Sequence, residues 1–307
     1  MPSLRALCAL LLASILALSL TGCGGSGSGG SGGSGSSGGS TPTGAAYTQP
    51  ESVAVPTVVA GLGIDTSCVN QGWVSAAATS TVRLKFQVIH DDITYNYDLP
   101  NDGTPTIFPI NTGNGSYLFR IMQNTEGSSY VELESARAQV TLSSELDPFL
   151  LPNIFCVYTA DSACVAKARE LTSSVSNQAE ALAAICNYVA DNVSYDNAKA
   201  KQLANATGYI PNPDDTFTSR KGICFDYASL SAAMLRSMGI PTKILTGYVG
   251  EQQLYHAWIM VYVDGSWQTA VFSVSPNRWS RCDVTFASTG ATQYSGDGSS
   301  YTDRYTY

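Results

Sequence analysis

The stretch Arg220-Lys-Gly-Ile-Cys224-Phe-Asp-Tyr-Ala-Ser-Leu-Ser-Ala-Ala-Met-Leu-Arg-Ser-Met-Gly-Ile-Pro241, followed by Thr242–Tyr255 and then His256-Ala-Trp258-Ile259, decides the fold. Tyr227, Leu230, Met234 and Leu235 fall at three- and four-residue steps, which predicts a helix over 224–238 with one buried face. Gly239 is placed to terminate it in a left-handed turn, and Ile240-Pro241 prevents its continuation. Cys224 therefore opens a helix, and His256, one of only two histidines in the chain, lies in a strand-like run thirty-two residues later. Cysteine is a nucleophile only as the thiolate, and a helix N-terminus favours negative charge, so this position biases the thiol towards its reactive form before any base is added. Gly222 is expected to permit close backbone approach and leave room for a substrate.

Gly222–Leu230, Ala233–Pro241, Gly247-Tyr248 and His256-Ala-Trp258 resemble the core of the bacterial transglutaminase-like superfamily, over residues 150–307. The resemblance implies an α+β fold, a papain-like core of helices packed on an antiparallel sheet. It also implies a Cys-His-Asp triad whose acid ends the next core strand in a pattern W-x-x-x-D-x-T. Trp279-Ser-Arg-Cys-Asp283-Val-Thr285 supplies that pattern, so Cys224, His256 and Asp283 are the expected catalytic residues. Trp267 has Val271 where the acid would fall, so 264–277 is expected to be an added excursion. The family's chemistry would be attack on an amide or peptide carbonyl through an acyl-thioester. Transfer to water would make a peptidase or amidase, and transfer to an amine a cross-linking enzyme. A non-catalytic adhesion or scaffold module of the same fold is the rival. A Tyr-Asp pair follows the second helix in similar proteins, and Tyr195-Asp196 matches it, either as cap and packing or as part of a substrate cleft with Gly222 and Trp258.

Strand geometry constrains the triad. Strands are expected at 242–249, 255–263, 266–274 and 278–285, with turns at Asp264-Gly265 and Ser275-Pro-Asn277. A simple meander would set His256 opposite residue 273 and leave Asp283 out of reach. The triad requires 278–283 to pair directly with 255–261, with 266–274 a side hairpin.

Composition narrows the partners. A net charge of −8 with no basic run excludes a phosphate-backbone footprint, so no nucleic-acid partner is expected. Charged residues make up only 13% of the 307, a pattern typical of exported proteins. Of the eight cysteines, Cys68, Cys156, Cys164, Cys186 and Cys282 remain once Cys8, Cys23 and Cys224 are set aside, an odd count that leaves at least one further free thiol or an intermolecular bond; Cys156 with Cys164 or Cys186 is the most plausible bridge by proximity. No metal-ligand spacing is present, and no cofactor is expected.

Residues 1–22 combine Arg5, an apolar run to Leu20 and Leu20-Thr-Gly-Cys23, which resembles a lipoprotein signal with Cys23 as the lipid attachment site. Residues 23–46 are almost wholly Gly and Ser, a flexible tether with an r.m.s. span of about 25 Å. The protein is thus expected at the outer surface, membrane-bound through lipid, acting on a protein or peptide substrate such as cell-wall peptide. Residues 47–148 alternate apolar and polar positions at 82–89, 92–97, 115–122, 130–133 and 138–142, which predicts a β-sandwich-like domain. His90, beside Asp91 and Asp92, is expected in a solvated turn. Residues 149–307 are expected to carry the catalytic core: two helices with buried faces at Val165, Ala168, Leu171 and Val175 and at Leu182, Ile185, Val189 and Val193, the second ending near Asn192, then an irregular loop over 205–219.

Overall fold

Leu84, Phe86 and Val88 point inward from a strand whose intervening residues are half-exposed, and this alternation sets the register of the first half of the chain. The computed structural model describes residues 46–58, 61–251, 253–263, 267–268, 273–274, 278–289 and 301–307. Cys23 and nearly all of the Gly/Ser tract lie outside the described residues. In chain order the first strands are β1 (Gly63–Asp65), β2 (Trp73–Ala77), β3 (Leu84–His90), β4 (Ile93–Leu99), β5 (Thr106–Pro109), β6 (Gly115–Asn124) and β7 (Tyr130–Val140). They form two antiparallel sheets, β1-β2-β5 and β4-β3-β6-β7. Val74, Ala76 and Phe108 from the first share one core with Phe86, Val88, Tyr97 and Phe119 from the second. This is a sandwich arrangement.

Three local expectations change. Strand β2 is buried at every residue, so it carries no alternation by which the sequence could reveal it. Two separate strands over 130–142 are one continuous β7, in which a register shift opposite Ile121/Met122 absorbs the break in pattern. His90 is not solvated. It is 8% exposed, stacks on Tyr117 at 4.3 Å and hydrogen-bonds Thr112 Oγ1 through Nδ1 at 3.0 Å.

The second half comprises α1 (Ala163–Leu171), α2 (Gln178–Asn192), β8 (Ser194–Tyr195), α3 (Asn197–Leu203), α4 (Pro213–Ser219), β9 (Lys221–Gly222), α5 (Cys224–Ser237), β10 (Thr242–Val249), β11 (Leu254–Val263), β12 (Trp267–Gln268), β13 (Ser273–Val274), β14 (Arg278–Cys282), α6 (Val284–Thr289) and β15 (Tyr301–Thr306). The expected loop over 205–219 contains α4, which starts at Pro213 because the Asn212 side chain accepts the N–H groups of Asp214 and Asp215. Helix α5 buries not one face but every residue from Asp226 to Ser237. Helices α1, α2 and α4 cover it on one side and β10 and β11 on the other. Ala228, Ser229, Ser231, Ala232 and Ala233 keep it thin enough to be packed all round. Gly239 follows with φ +74°, as its terminating role requires.

The sheet beneath α5 runs in the order β14-β11-β10-β15. Strand β14 pairs with β11, from Val263↔Arg278 to Ile259↔Cys282, which is the pairing the triad requires. The expected strand at 266–274 folds back on itself as β12 and β13, outside this sheet. Both expected turns, at 264–265 and 275–277, fall outside the described residues. The last expected strand stops at Cys282, and Val284 begins α6. Strand β15 joins the far edge, and Gly247 makes this possible: a Cβ there would lie 2.0 Å from the Thr302 carbonyl oxygen and 2.9 Å from the Trp258 ring. Arg236, 2% exposed at the end of α5, donates to the carbonyls of Thr242, Leu151 and Tyr307 at 2.8, 2.8 and 2.9 Å, pinning helix, sheet and C-terminal residue together.

The cysteine expectation is corrected. Cys156, Cys164 and Cys186 are buried free thiols packed in the helical core, and Cys68 is also free. Burial pushes Cys156 up to about 11 and Cys186 to about 12, and raises Cys164 further still, so all three stay protonated and inert at neutral pH.

Candidate active site

The approach to Cys224 is built from the backbone outward. Arg220 ends α4 in the left-handed region at φ +54°, turning the chain into the short parallel pairing of β9 with β8. Ile223 is extended and has no polar side chain with which to cap α5. Asp226, one turn in, accepts the Ile223 N–H at 2.8 Å instead. Its carboxylate is fully buried and is also met by Lys199 Nζ at 2.7 Å and by the Tyr209 hydroxyl. Cys224 is then the first residue of α5, partly exposed with a free thiol. Its N–H belongs to the first turn, which has no intrahelical acceptor.

His256 sits near the start of β11, paired with Gly247 and 4% exposed. Its Nε2 lies 2.8 Å from Asp283 Oδ2, and that oxygen also accepts the Tyr301 hydroxyl at 2.9 Å. With Nε2 on Asp283, Nδ1 is the ring nitrogen left for the Cys224 side chain, to which the imidazole also hydrogen-bonds. Burial alone would lower the imidazolium pKa. The hydrogen bonds and charges of Asp283 and Cys224 outweigh it and raise His256 to about 10. Trp258, two residues along the same strand face, stacks on the imidazole at 6.2 Å and meets Tyr301 edge-on at 4.8 Å.

The structure thus brings Cys224, His256 and Asp283 together. The other expected site residues have different placements. Gly222 does not leave room for substrate, because a Cβ there would lie 2.5 Å from Asp226 Cβ, so its missing side chain accommodates the Asp226 cap. Trp258 is 1% exposed and backs the histidine instead of lining a cleft. Asp196 is a helix cap, accepting the Lys199 N–H at 2.9 Å at the start of α3. Tyr195 is half-buried beside Cys224. Asp226, Lys199, Tyr209 and Tyr301 were not expected at the site. An acid three residues after an apolar N-cap position was a readable sign for Asp226, whereas nothing local marks Tyr301.

Among the described residues no group of three or more His, Cys, Asp or Glu is arranged to hold a metal ion, and no helix is long and apolar enough to cross a membrane. A cavity of about 380 Å³ lined by Asn111, Leu146, Phe149, Lys243 and Tyr262 contains none of the triad residues.

A cysteine at the start of a buried helix, a histidine on the sheet beneath it and an aspartate ending the neighbouring strand define a papain-like α+β core. Residues 165–283, from α1 to Asp283, match the transglutaminase-like superfamily. An uncharacterized protein of Mycobacterium leprae is 30% identical over 80 residues, 23% of this chain and 29% of its own length. A UPF0252 protein of Methanocaldococcus jannaschii is 30% identical over 91 residues, 27% of this chain and 26% of its own. The chain thus matches less than a third of the length of each of these relatives. The crystal structure of a candidate cysteine protease from Cytophaga hutchinsonii aligns over 77% of this chain and 76% of that one, at 17% identity and a TM-score of 0.42.

Proposed function

We propose that the protein is a cysteine enzyme that forms an acyl-thioester at Cys224 from an amide or peptide carbonyl, acting at the cell surface from a lipid anchor on Cys23. The observation that carries this reading is the buried His256 hydrogen-bonded at once to Asp283 and to Cys224. In that arrangement the imidazole is placed to take the thiol proton, which would leave a thiolate beside an imidazolium. The thiolate attacks the carbonyl carbon, and the imidazolium protonates the departing amine. The neutral imidazole then takes a proton from the incoming water or amine, whose attack releases the acyl group. Asp283, held by Tyr301, fixes the ring orientation and favours its charged form. Protein or peptide substrates, cell-wall peptide among them, fit this chemistry, and the residues serve hydrolysis and transamidation equally. A non-catalytic scaffold would have no need of a proton-sharing thiol and imidazole.

The test is alkylation by iodoacetamide near neutral pH with mass-spectrometric mapping. Cys224 should react far faster than a model thiol of pKa about 8.5, and His256→Ala and Asp283→Asn should slow it. Cys156, Cys164 and Cys186 should label only on unfolding. Slow labelling of Cys224 that ignores both substitutions would defeat the proposal.

A further inference from the structure

A row of aromatic rings leads away from the nucleophile. Phe225, the residue after Cys224, packs against Phe155 at 5.2 Å, Phe155 meets Tyr307 edge-on at 4.6 Å, and Tyr307 stacks on Tyr305 at 6.2 Å. Rings that only fill a core are enclosed, as Phe86 and Phe108 are at 0% exposure, whereas all four of these keep part of their surface in solvent. Arg304 ends the row. Its guanidinium lies over the Tyr305 ring at 5.1 Å, and Nη1 donates to the Tyr248 hydroxyl at 3.2 Å. Tyr248 is steadied in turn by an edge-on contact at 5.4 Å with Tyr255, its partner across β10 and β11 and the residue before His256. Strand β15 pairs Tyr305 with Thr246 and Asp303 with Gly247, so Arg304 is the extra residue of a bulge, a device that re-aims a side chain. Arg304 is exposed, and no carboxylate among the described residues lies within ion-pair distance of it. A guanidinium carries five N–H donors in a planar fork; the ring and the hydroxyl fix that plane and engage one of them, which leaves the rest for a ligand.

We infer that Arg304, held by Tyr248 and Tyr305, binds a carboxylate of the substrate, and that the rings back to Phe225 carry the peptide between that carboxylate and the carbonyl attacked by Cys224; this rests on the catalytic reading above. The occupant is an acidic peptide. Charge complementarity selects it: a chain of net charge −8 repels such a peptide as a whole, so its capture needs a cation free of acidic neighbours, and Arg304 is one. An extended peptide advances ~3.4 Å per residue, and the steps from ring to ring are 4.6 to 6.2 Å, so each step spans one to two residues and the carboxylate falls several residues from the reacting carbonyl. Aromatic faces pack against many side chains, which puts the specificity in the charge at the end of the row.

The probes are iodoacetyl-capped peptides that end in glutamate amide or glutamine amide, with a run of about two to six glycines between cap and end; the Cys224 sulfur displaces iodide from the cap. Alkylation rates mapped to Cys224 by mass spectrometry give an acid-to-amide ratio within each protein, in which any change in the thiol itself cancels. In the parent this ratio should reach about 3- to 10-fold at one spacing and stay near one at the shortest, and Arg304→Gln should bring it near one at every spacing. A parent ratio near one throughout would overturn the subsite, and a ratio that survives Arg304→Gln would overturn its assignment to Arg304. In either case fast, His256-dependent alkylation by iodoacetamide would leave the catalytic reading standing. Slow, His256-independent alkylation by iodoacetamide would overturn the catalytic reading instead, and the subsite with it.

Discussion

Replacing Asp226 by Ala removes a fully buried carboxylate with three partners: the Ile223 N–H, the Lys199 ammonium and the Tyr209 hydroxyl. Hydrogen bonds to a charged group contribute about 1.5–3 kcal/mol each, but these share one carboxylate and do not add. Removing one member of a buried pair costs about 3–5 kcal/mol because the other is left uncompensated. Lys199 keeps 29% of its side chain exposed and regains part of its hydration, so the lower end applies, about 3 kcal/mol. With a urea m-value of about 3 kcal/mol/M, the midpoint should fall by about 1 M. Asp226→Asn retains an acceptor for Ile223 but not the charge, so about half the loss is expected. Lys199→Met combined with Asp226→Ala should cost less than the sum of the two single changes, since neither charge then remains unpaired. An Asp226→Ala midpoint within about 0.3 M of the parent would refute the idea that this carboxylate holds the start of α5.

Two further outcomes follow from the site and the proposed lipid anchor. Because the folded state raises His256 from its ordinary 6.5 to about 10, the imidazolium stabilises the fold fully below pH 6.5, and that contribution is lost as pH rises to about 10. The difference in urea midpoint between the parent and His256→Ala should therefore narrow across that interval and be flat below it. Cys23→Ala, expressed in a bacterial host, should move the protein from the membrane to the soluble fraction and abolish any lipid mass on the mature N-terminus; unchanged partitioning would count against the anchor.

The residues proposed to carry chemistry were legible because their signals are local. A glycine-flanked cysteine opening a 3.6-period run, Gly239-Ile-Pro241 ending it and a strand-like run holding His256 need only a few turns of chain to be read. The core sheet was readable too, since Thr242–Val249 is β10 as expected and the demand that Asp283 reach His256 dictated the β11–β14 pairing. What the tertiary structure alone decided involves residues distant in sequence or stripped of pattern by burial. Tyr301 reaches Asp283 only because β15 pairs with β10 far upstream, and no local rule specifies that partner. Strand β2 shows no alternation because both its faces are covered, and α5 shows more than one buried face for the same reason. Gly222 and Trp258 reversed their expected roles because a glycine's empty space and an indole's ring say nothing of what occupies or covers them. Asp226 fills the first and the sheet encloses the second, and both depend on packing that the chain acquires only when helix and sheet meet.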